Sequence, residues 1–482
     1  MRRSFLSNLI FLLFLNFLVK PFWILGIDRS VQNIAGPEEY GIYFSLFNFT
    51  LLFQVLLDFG INNFNNRHIA LKPERLGQYF FTALSAKFFF AVLYSIIVYL
   101  VAFGIQFDTQ RIQILGLLIL TQILISLLAF IRSNVSALHL FRADAILSVI
   151  DKLLTSGYCA IIIWTEITPW SMTIPLFIMI QIVGYLISSA IGLLILASQS
   201  VRWEFRINPR MIKGIIYKSM PFALLTFLMA TYYRVDGVML ERMLGSDGPM
   251  QAGIYASAFR ILDALNILGF LFGAVLLPSV AKIWGEKGNL NFIFKTSLFT
   301  MLTISIPIGG ALLIYSSEIM DLLYTASTPF YGEVFGWLMA GFMIISSVYI
   351  LGTILTGSGQ LKVLNIIAVI GVVINVILNL ILIPEQQALG AAKATVVTQI
   401  LILILHIIAS KKTLQLQLDA NSWLRLGIYI ITVSLTIYIS TILEIQLGTA
   451  LLLIITVSGL SALITGVISK KDLKPMLSEG VQ

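Results

Sequence analysis

Residues Val363 to Ile383 read VLNIIAVIGVVINVILNLILI, and the polar residues among these 21 are Asn365, Asn375 and Asn379. Wound as a helix, the run is apolar on every face. At about 1.5 Å per residue it is long enough to cross a hydrocarbon core about 30 Å thick. A membrane-spanning barrel strand would be shorter and would alternate polar with apolar residues. In lipid, a helix satisfies its own backbone groups, so the run reads as a membrane-spanning helix. Ile112 to Ile131 reads the same way, and comparable runs recur along the chain.

Composition agrees. Hydrophobic residues make up 58% of 482 and charged residues 11%. A soluble domain carries about 25% charged residues, so this chain lacks the polar surface that water demands. Arg2 and Arg3 precede an apolar stretch, but no small-residue cleavage site follows, and Lys20-Pro21-Phe22-Trp23 continues the segment. It is expected to be a retained first span rather than a secretory signal. Cys159 is the single cysteine, which excludes a disulfide within the chain and reads as a small buried apolar residue.

The apolar runs predict an all-α integral membrane protein with about 14 transmembrane helices, at 8–27, 40–61, 78–104, 111–131, 145–165, 172–197, 215–236, 252–281, 292–315, 333–356, 362–383, 389–410, 424–443 and 448–468. The net charge of +8 would suggest nucleic acid in a soluble protein; here its position matters more. One set of loops and ends holds 22 of the 31 basic residues, the other only Arg29, Arg111, Arg242 and Lys393, and five lie within spans. Basic loops stay in the cytoplasm, which puts both termini there. The opposite loops are short and lean acidic, with Glu38, Glu39, Glu241, Asp247, Glu318, Asp321 and Glu333. No nucleotide-binding loop or metal-ligand cluster interrupts the spans, so no cofactor and no metal is expected. The three histidines, His68, His139 and His406, are too scattered to form a site.

The segment Gly41-Ile42-Tyr43-Phe44-Ser45-Leu46-Phe47 recurs 212 residues later as Gly253-Ile254-Tyr255-Ala256-Ser257-Ala258-Phe259. Each copy opens an even-numbered span of a six-span unit. Six spans apart, the copies run in the same direction through the bilayer, which is a parallel repeat. The two spans beyond about residue 420 fall outside it.

A Lys-Pro in the first span is followed by Val31-Gln32-Asn33, Glu39-Tyr40-Gly41-Ile42-Tyr43, Phe47-Asn48 and Leu57-Asp58-Phe59-Gly60. With Tyr233-Arg234-Val235-Asp236-Gly237-Val238-Met239-Leu240 ahead of the second copy, this resembles the polysaccharide transporters of the multidrug/oligosaccharidyl-lipid/polysaccharide exporter superfamily. The resemblance implies two six-helix lobes in pseudo-two-fold arrangement around a central cavity, 1–200 and 201–415, with two further helices and a short cytoplasmic tail in 416–482. It implies a flippase, not an enzyme. The substrate would be a polyprenyl-diphosphate-linked oligosaccharide, an O-antigen or capsule repeat unit, moved from the cytoplasmic to the periplasmic leaflet of a bacterial inner membrane. The partners implied are this substrate, membrane lipids, a polysaccharide polymerase and glycosyltransferases.

Ionisable residues inside spans usually face an aqueous cavity or a partner. A diphosphate headgroup needs cations, which nominates Lys20, Lys87, Arg234 and Arg260 as substrate-binding residues, with Asn48 at the place in the first repeat that Arg260 holds in the second. Pro21 is expected to bend the first helix beside Lys20. Lys87 has aromatic neighbours and no acid in its own helix. Arg260 and Asp263, three apart, share a helix face and can pair. Asp58 and Asp263 are the candidates for ion coupling or gating, because a carboxylate in a dry cavity can carry a proton.

Three other functions compete. A lipid II flippase would share the 14 spans and a cationic cavity. A cation-coupled drug exporter of the same superfamily would have twelve spans and a cavity dominated by acids. A membrane-embedded polymerase or ligase would carry a large outer loop with basic or histidine catalytic residues, which the short loops here disfavour.

Overall fold

The computed structural model describes residues 15–16, 18–165, 167, 169–199 and 209–467, and every regular element among them is helical. The start of the first span and the basic residues at both chain ends lie outside the described residues. Ten helices among the described residues are long and apolar enough to cross a membrane. They include Leu361–Leu414, which is two helices joined at Gln387, whose backbone leaves the helical region at φ 52° and ψ −130°.

The chain divides by its contacts into two compact units, one ending at Gly253 and the other beginning at Ile254. The first unit holds α1 (Arg29–Leu52), α2 (Ile61–Leu71), α3 (Leu76–Gly104), α4 (Thr109–Ala137), α5 (Phe141–Leu147), α6 (Ile150–Trp164), α7 (Ile174–Ala197) and α8 (Pro209–Met243). α1 packs against α4 and α8, and α4 packs against α7. The helix α9 (Gly248–Gly285) begins in this unit and continues into the other. The second unit adds α10 (Asn291–Ile314), α11 (Ser316–Leu323), α12 (Pro329–Gly357), α13 (Leu361–Leu414), α14 (Ala420–Ile442) and α15 (Leu447–Ile464). There α12 packs against α10 and α13, and the last two helices lie against each other and α10.

Sequence and structure differ at the first two spans. The bend expected at Pro21 takes the form of a π-helical segment, Phe22–Asp28, a widened turn that often marks functional sites. Helix then continues through the residues expected to form the first outer connection. Only Gly36, at φ 79° and followed by Pro37, breaks it, because a glycine there can turn the chain in one residue. Asp28 is therefore buried, and its Oδ2 accepts a hydrogen bond from the Tyr40 hydroxyl at 2.7 Å.

The repeated motif owes its glycine to a crossing within the first unit. A Cβ on Gly41 would lie 1.8 Å from the Pro249 carbonyl oxygen, and a Cβ on Gly253 would lie 1.8 Å from the Pro37 carbonyl oxygen. The two contacts are reciprocal: each glycine passes the proline four residues ahead of the other. Any side chain at either position would hold the backbones apart. Most of the rest of the motif is core, with Tyr43, Ser45, Tyr255, Ser257 and Phe259 all buried, while Ile42 and Phe47 of the first copy are half-buried.

Charges fasten the turn between α3 and α4 to the end of α8. The Arg111 guanidinium pairs with Asp108 and, through Nε at 2.8 Å, with Glu241, while Arg242 donates to the Ile105 carbonyl at 2.6 Å. Glu241 is only 3% exposed.

Candidate functional site

The second span does not end where its apolar run does. α1 stops at Leu52, a short 3-10 turn covers Gln54–Leu57, and α2 resumes the helix at Ile61. Between them Phe59 and Gly60 both lie in the left-handed region, at φ 40° and 77°. A phenylalanine there is strained, and such strain persists where surrounding structure holds it and concentrates at functional sites. Its ring packs on Phe90 at 5.0 Å, and a Cβ on Gly60 would meet Ser219 Oγ of α8 at 2.4 Å. The glycine is thus needed for both its conformation and the approach of α8.

The break opens a cavity of about 940 Å³ within the first unit. Its walls are the end of α1, the break itself, α2, the middle of α4 and the middle turns of α8. Gln54, Asp58, Asn62, His68, Ser126 and Thr226 give it polar groups, and Phe59, Phe222 and Phe227 give it apolar faces. Among the described lining residues there is no lysine or arginine. The volume lies in the usual range for a small-molecule site.

Lys87 lies behind this wall rather than in the cavity. It is 6% exposed and donates to Asp58 Oδ1 at 3.0 Å, to Ser126 Oγ at 2.9 Å and to the Leu57 carbonyl at 3.1 Å. An ammonium has three donors, so all are committed. Lys87 thus pins the irregular chain at Leu57 and Asp58 to its own helix α3 and, through Ser126, to α4. Its partner was invisible from its own helix because the acid comes from another span. Asp58 Oδ1 also accepts from the Asn62 backbone N–H at 3.2 Å, supplying an acceptor at the start of α2.

Two other candidates meet. Arg234 Nη1 reaches Asn48 Oδ1 at 3.5 Å, and the guanidinium stacks over Tyr233. Asn48 is one turn before the cavity residue Leu51 on α1, and Arg234 is one turn after the cavity residue Ala230 on α8. The pair therefore sits about 5–6 Å along these helices from the cavity edge. Lys20 is half-buried, within electrostatic reach of Arg132, Asp151 and Lys152, and does not line the cavity. Arg260 and Asp263 lie one turn apart on α9, half-buried, in the second unit.

The sequence reading passed over Gln54, Asn62, His68, Ser126, Ser219 and Thr226. One signal for them was present: Asp58-Phe59-Gly60 followed by Asn62 and Asn63 ends the apolar run with a glycine and polar residues, as a break would. The other residues sit singly on α4 and α8, where nothing local distinguishes them from packing.

A family model described as polysaccharide biosynthesis protein matches residues 5–284. That is more than half of the 482 residues. The chain belongs to this family. As a polysaccharide biosynthesis protein it bears out the resemblance read from the Glu39–Tyr43 and Leu57–Gly60 motifs. It is 28% identical over 158 residues to the probable low-salt glycan biosynthesis flippase Agl15 of Haloferax volcanii, covering 32% of this chain and 33% of that one. It is 24% identical over 212 residues to the capsular polysaccharide biosynthesis protein CapF of Staphylococcus aureus, covering 42% of this chain and 52% of that one. The chain thus spans about a third to a half of the length of these relatives.

Solved structures share the fold. The lipid II flippase MurJ in an inward closed conformation superposes with TM-score 0.72 at 15% identity, over 94% of this chain and 98% of that one. An inward-facing multidrug resistance transporter of the MATE family and MOP superfamily gives 0.64 at 12% identity, over 81% and 94%. This polysaccharide biosynthesis protein is therefore a multi-pass, all-helical membrane protein with the fold of that transporter superfamily.

Proposed function

We propose that the chain is a flippase for a polyprenyl-diphosphate-linked oligosaccharide, an O-antigen or capsule repeat unit, moving it from the cytoplasmic to the periplasmic leaflet of a bacterial inner membrane by alternating access. The observation that carries this reading is the polar cavity at the break in the second span. It is large enough for sugar residues and has the hydroxyl, amide and aromatic groups that bind them. Membership of a polysaccharide biosynthesis family supports the choice of cargo. Arg234, with Asn48, stands one turn away as the cation for the diphosphate, and Arg260 serves the same headgroup from the second half of the chain. Lys20 contributes positive potential near the first-helix bend. Asp263 is the coupling or gating acid. The repeat assigns one lobe to 1–200 and the other to 201–415, with 416–482 as an added helical pair. Both termini are cytoplasmic by the distribution of basic residues. A polymerase and glycosyltransferases handle the same lipid after and before it. No hydrolytic chemistry is needed for this task.

A cation-coupled drug exporter is the second reading, and one observation favours it: the described cavity lining holds an acid and no lysine or arginine. Lys87 offsets that acid, which weakens the case for an organic-cation site. Deleting the gene in its host separates the two. Under the flippase reading, lipid-linked oligosaccharide accumulates in the cytoplasmic leaflet and surface glycan is lost. Intact surface glycan with heightened sensitivity to organic cations would support the exporter.

A further inference from the structure

We infer that Asp58 reads the sugar rather than the diphosphate, and that the sugar it meets is rich in hydroxyl or amide donors and bears no acid. This rests on the lipid-linked oligosaccharide reading above. Asp58 Oδ1 is fully engaged, taking Lys87 Nζ at 3.0 Å and the Asn62 N–H at 3.2 Å. Among the described residues nothing donates to Oδ2, although the side chain is 34% exposed and lines the cavity. Four residues on, the buried Asn62 Oδ1 also has no hydrogen-bond partner. Both atoms are acceptors. Whatever satisfies them must donate.

That requirement separates the two parts of the substrate. A diphosphate at neutral pH presents acceptors almost exclusively, and would set negative oxygens against a carboxylate. Hydroxyls and N-acetyl N–H groups of a sugar are donors, and a hydrogen bond to a charged acceptor is stronger than a neutral one. Phe59, Phe222 and Phe227 line the same space and offer apolar surface to the faces of a sugar ring. Lys87, itself held by Ser126, and the Asn62 backbone N–H fix the carboxylate, so that it meets the ligand already oriented. A uronic acid in this place would set a second carboxylate against Oδ2, the oxygen that Lys87 does not hold and that no described lysine or arginine of the lining reaches.

The test uses purified full-length protein in phosphatidylethanolamine–phosphatidylglycerol vesicles, without a pH gradient, and three fluorescent polyprenyl diphosphates. One carries a neutral N-acetylhexosamine disaccharide, one the same disaccharide ending in a hexuronate, and one no sugar. Wild type should flip the neutral lipid about tenfold faster than the acidic one, as expected for one charged hydrogen bond. Asp58→Asn combined with Lys87→Met removes both charges together, so that neither is left buried alone. This variant should lose the preference and move the neutral and acidic lipids at equal rates. Asp58→Glu, which keeps a carboxylate, should retain part of the preference. An equal ratio in wild type and the double variant overturns the inference while leaving the flippase reading in place. So does loss of movement for all three lipids alike under an imposed pH gradient, which would make Asp58 a coupling group. If wild type moves none of the lipids, the flippase reading falls and the inference falls with it.

Discussion

Lys87 and Asp58 form an ion pair 3.0 Å apart that ties the non-helical part of the second span to α3, with Ser126 of α4 as a third member. The pair makes Lys87 a structural cation behind the cavity wall. The free acceptor face of the site belongs to Asp58. The cavity of the first unit accepts hydrogen bonds, and its described lining holds no lysine or arginine.

Breaking this pair from one side should be worse than removing it. Lys87→Met leaves a carboxylate without its partner, and Asp58→Asn leaves a buried ammonium. Each should lower stability by about 2–4 kcal/mol, while the double variant recovers most of the loss. Thermal unfolding of the detergent-purified proteins reads this directly. Additive single and double losses would show that the pair is not coupled.

The glycine crossing gives a sharper structural prediction. Gly41→Ala and Gly253→Ala each place a methyl where a backbone oxygen already lies, 1.8 Å away. Both should sharply reduce folded protein recovered from membranes. Gly104→Ala and Gly427→Ala, where nothing lies within 4 Å, are the controls. Alanine suits a helix better than glycine by about 0.5–1 kcal/mol, so these two should be neutral or mildly stabilising. Equal yields for all four would contradict the crossing.

The helices were legible in the sequence because a lipid solvent demands long apolar runs and little else. The runs at 78–104, 172–197 and 292–315 correspond closely to α3, α7 and α10. The repeat was legible too, although the reason for its leading glycine was not: Pro37 and Gly253 are 216 positions apart in the chain. The site was harder. Lys87 was singled out from its own helix, but its partner lies 29 residues away. The break at Phe59 and Gly60 coincides with the polar end of the apolar run at Asp58 to Asn63, so hydropathy alone does not separate a break from the end of a span. Arg234 and Asn48 were nominated separately, and only the fold brings them together.

The charge cluster at the turn between α3 and α4 should behave as one unit. Arg111→Ala and Glu241→Ala are expected to be non-additive in stability, with a coupling of about 1–3 kcal/mol. The exchanged variant, Arg111→Glu with Glu241→Arg, should recover part of it. Zero coupling in the double-mutant cycle would mean that the contact holds nothing.

Sidedness follows from the basic residues and can be checked on single-cysteine variants made in a Cys159→Ser background. Ser246→Cys, exposed between α8 and α9, should react with a membrane-impermeant maleimide in intact cells. Glu286→Cys, exposed after α9, should react only after permeabilisation. The reverse pattern would invert the orientation, and with it the direction of transport.

Movement of a lipid-linked sugar by the purified protein is the most direct measurement. Wild type reconstituted in vesicles with a fluorescent polyprenyl-diphosphate N-acetylhexosamine disaccharide should expose the inner-leaflet pool to an added membrane-impermeant quencher well above the rate of protein-free vesicles. The Arg234→Ala protein should be slower. Rates no higher than in protein-free vesicles, from protein shown to be folded and inserted, would contradict the flippase reading.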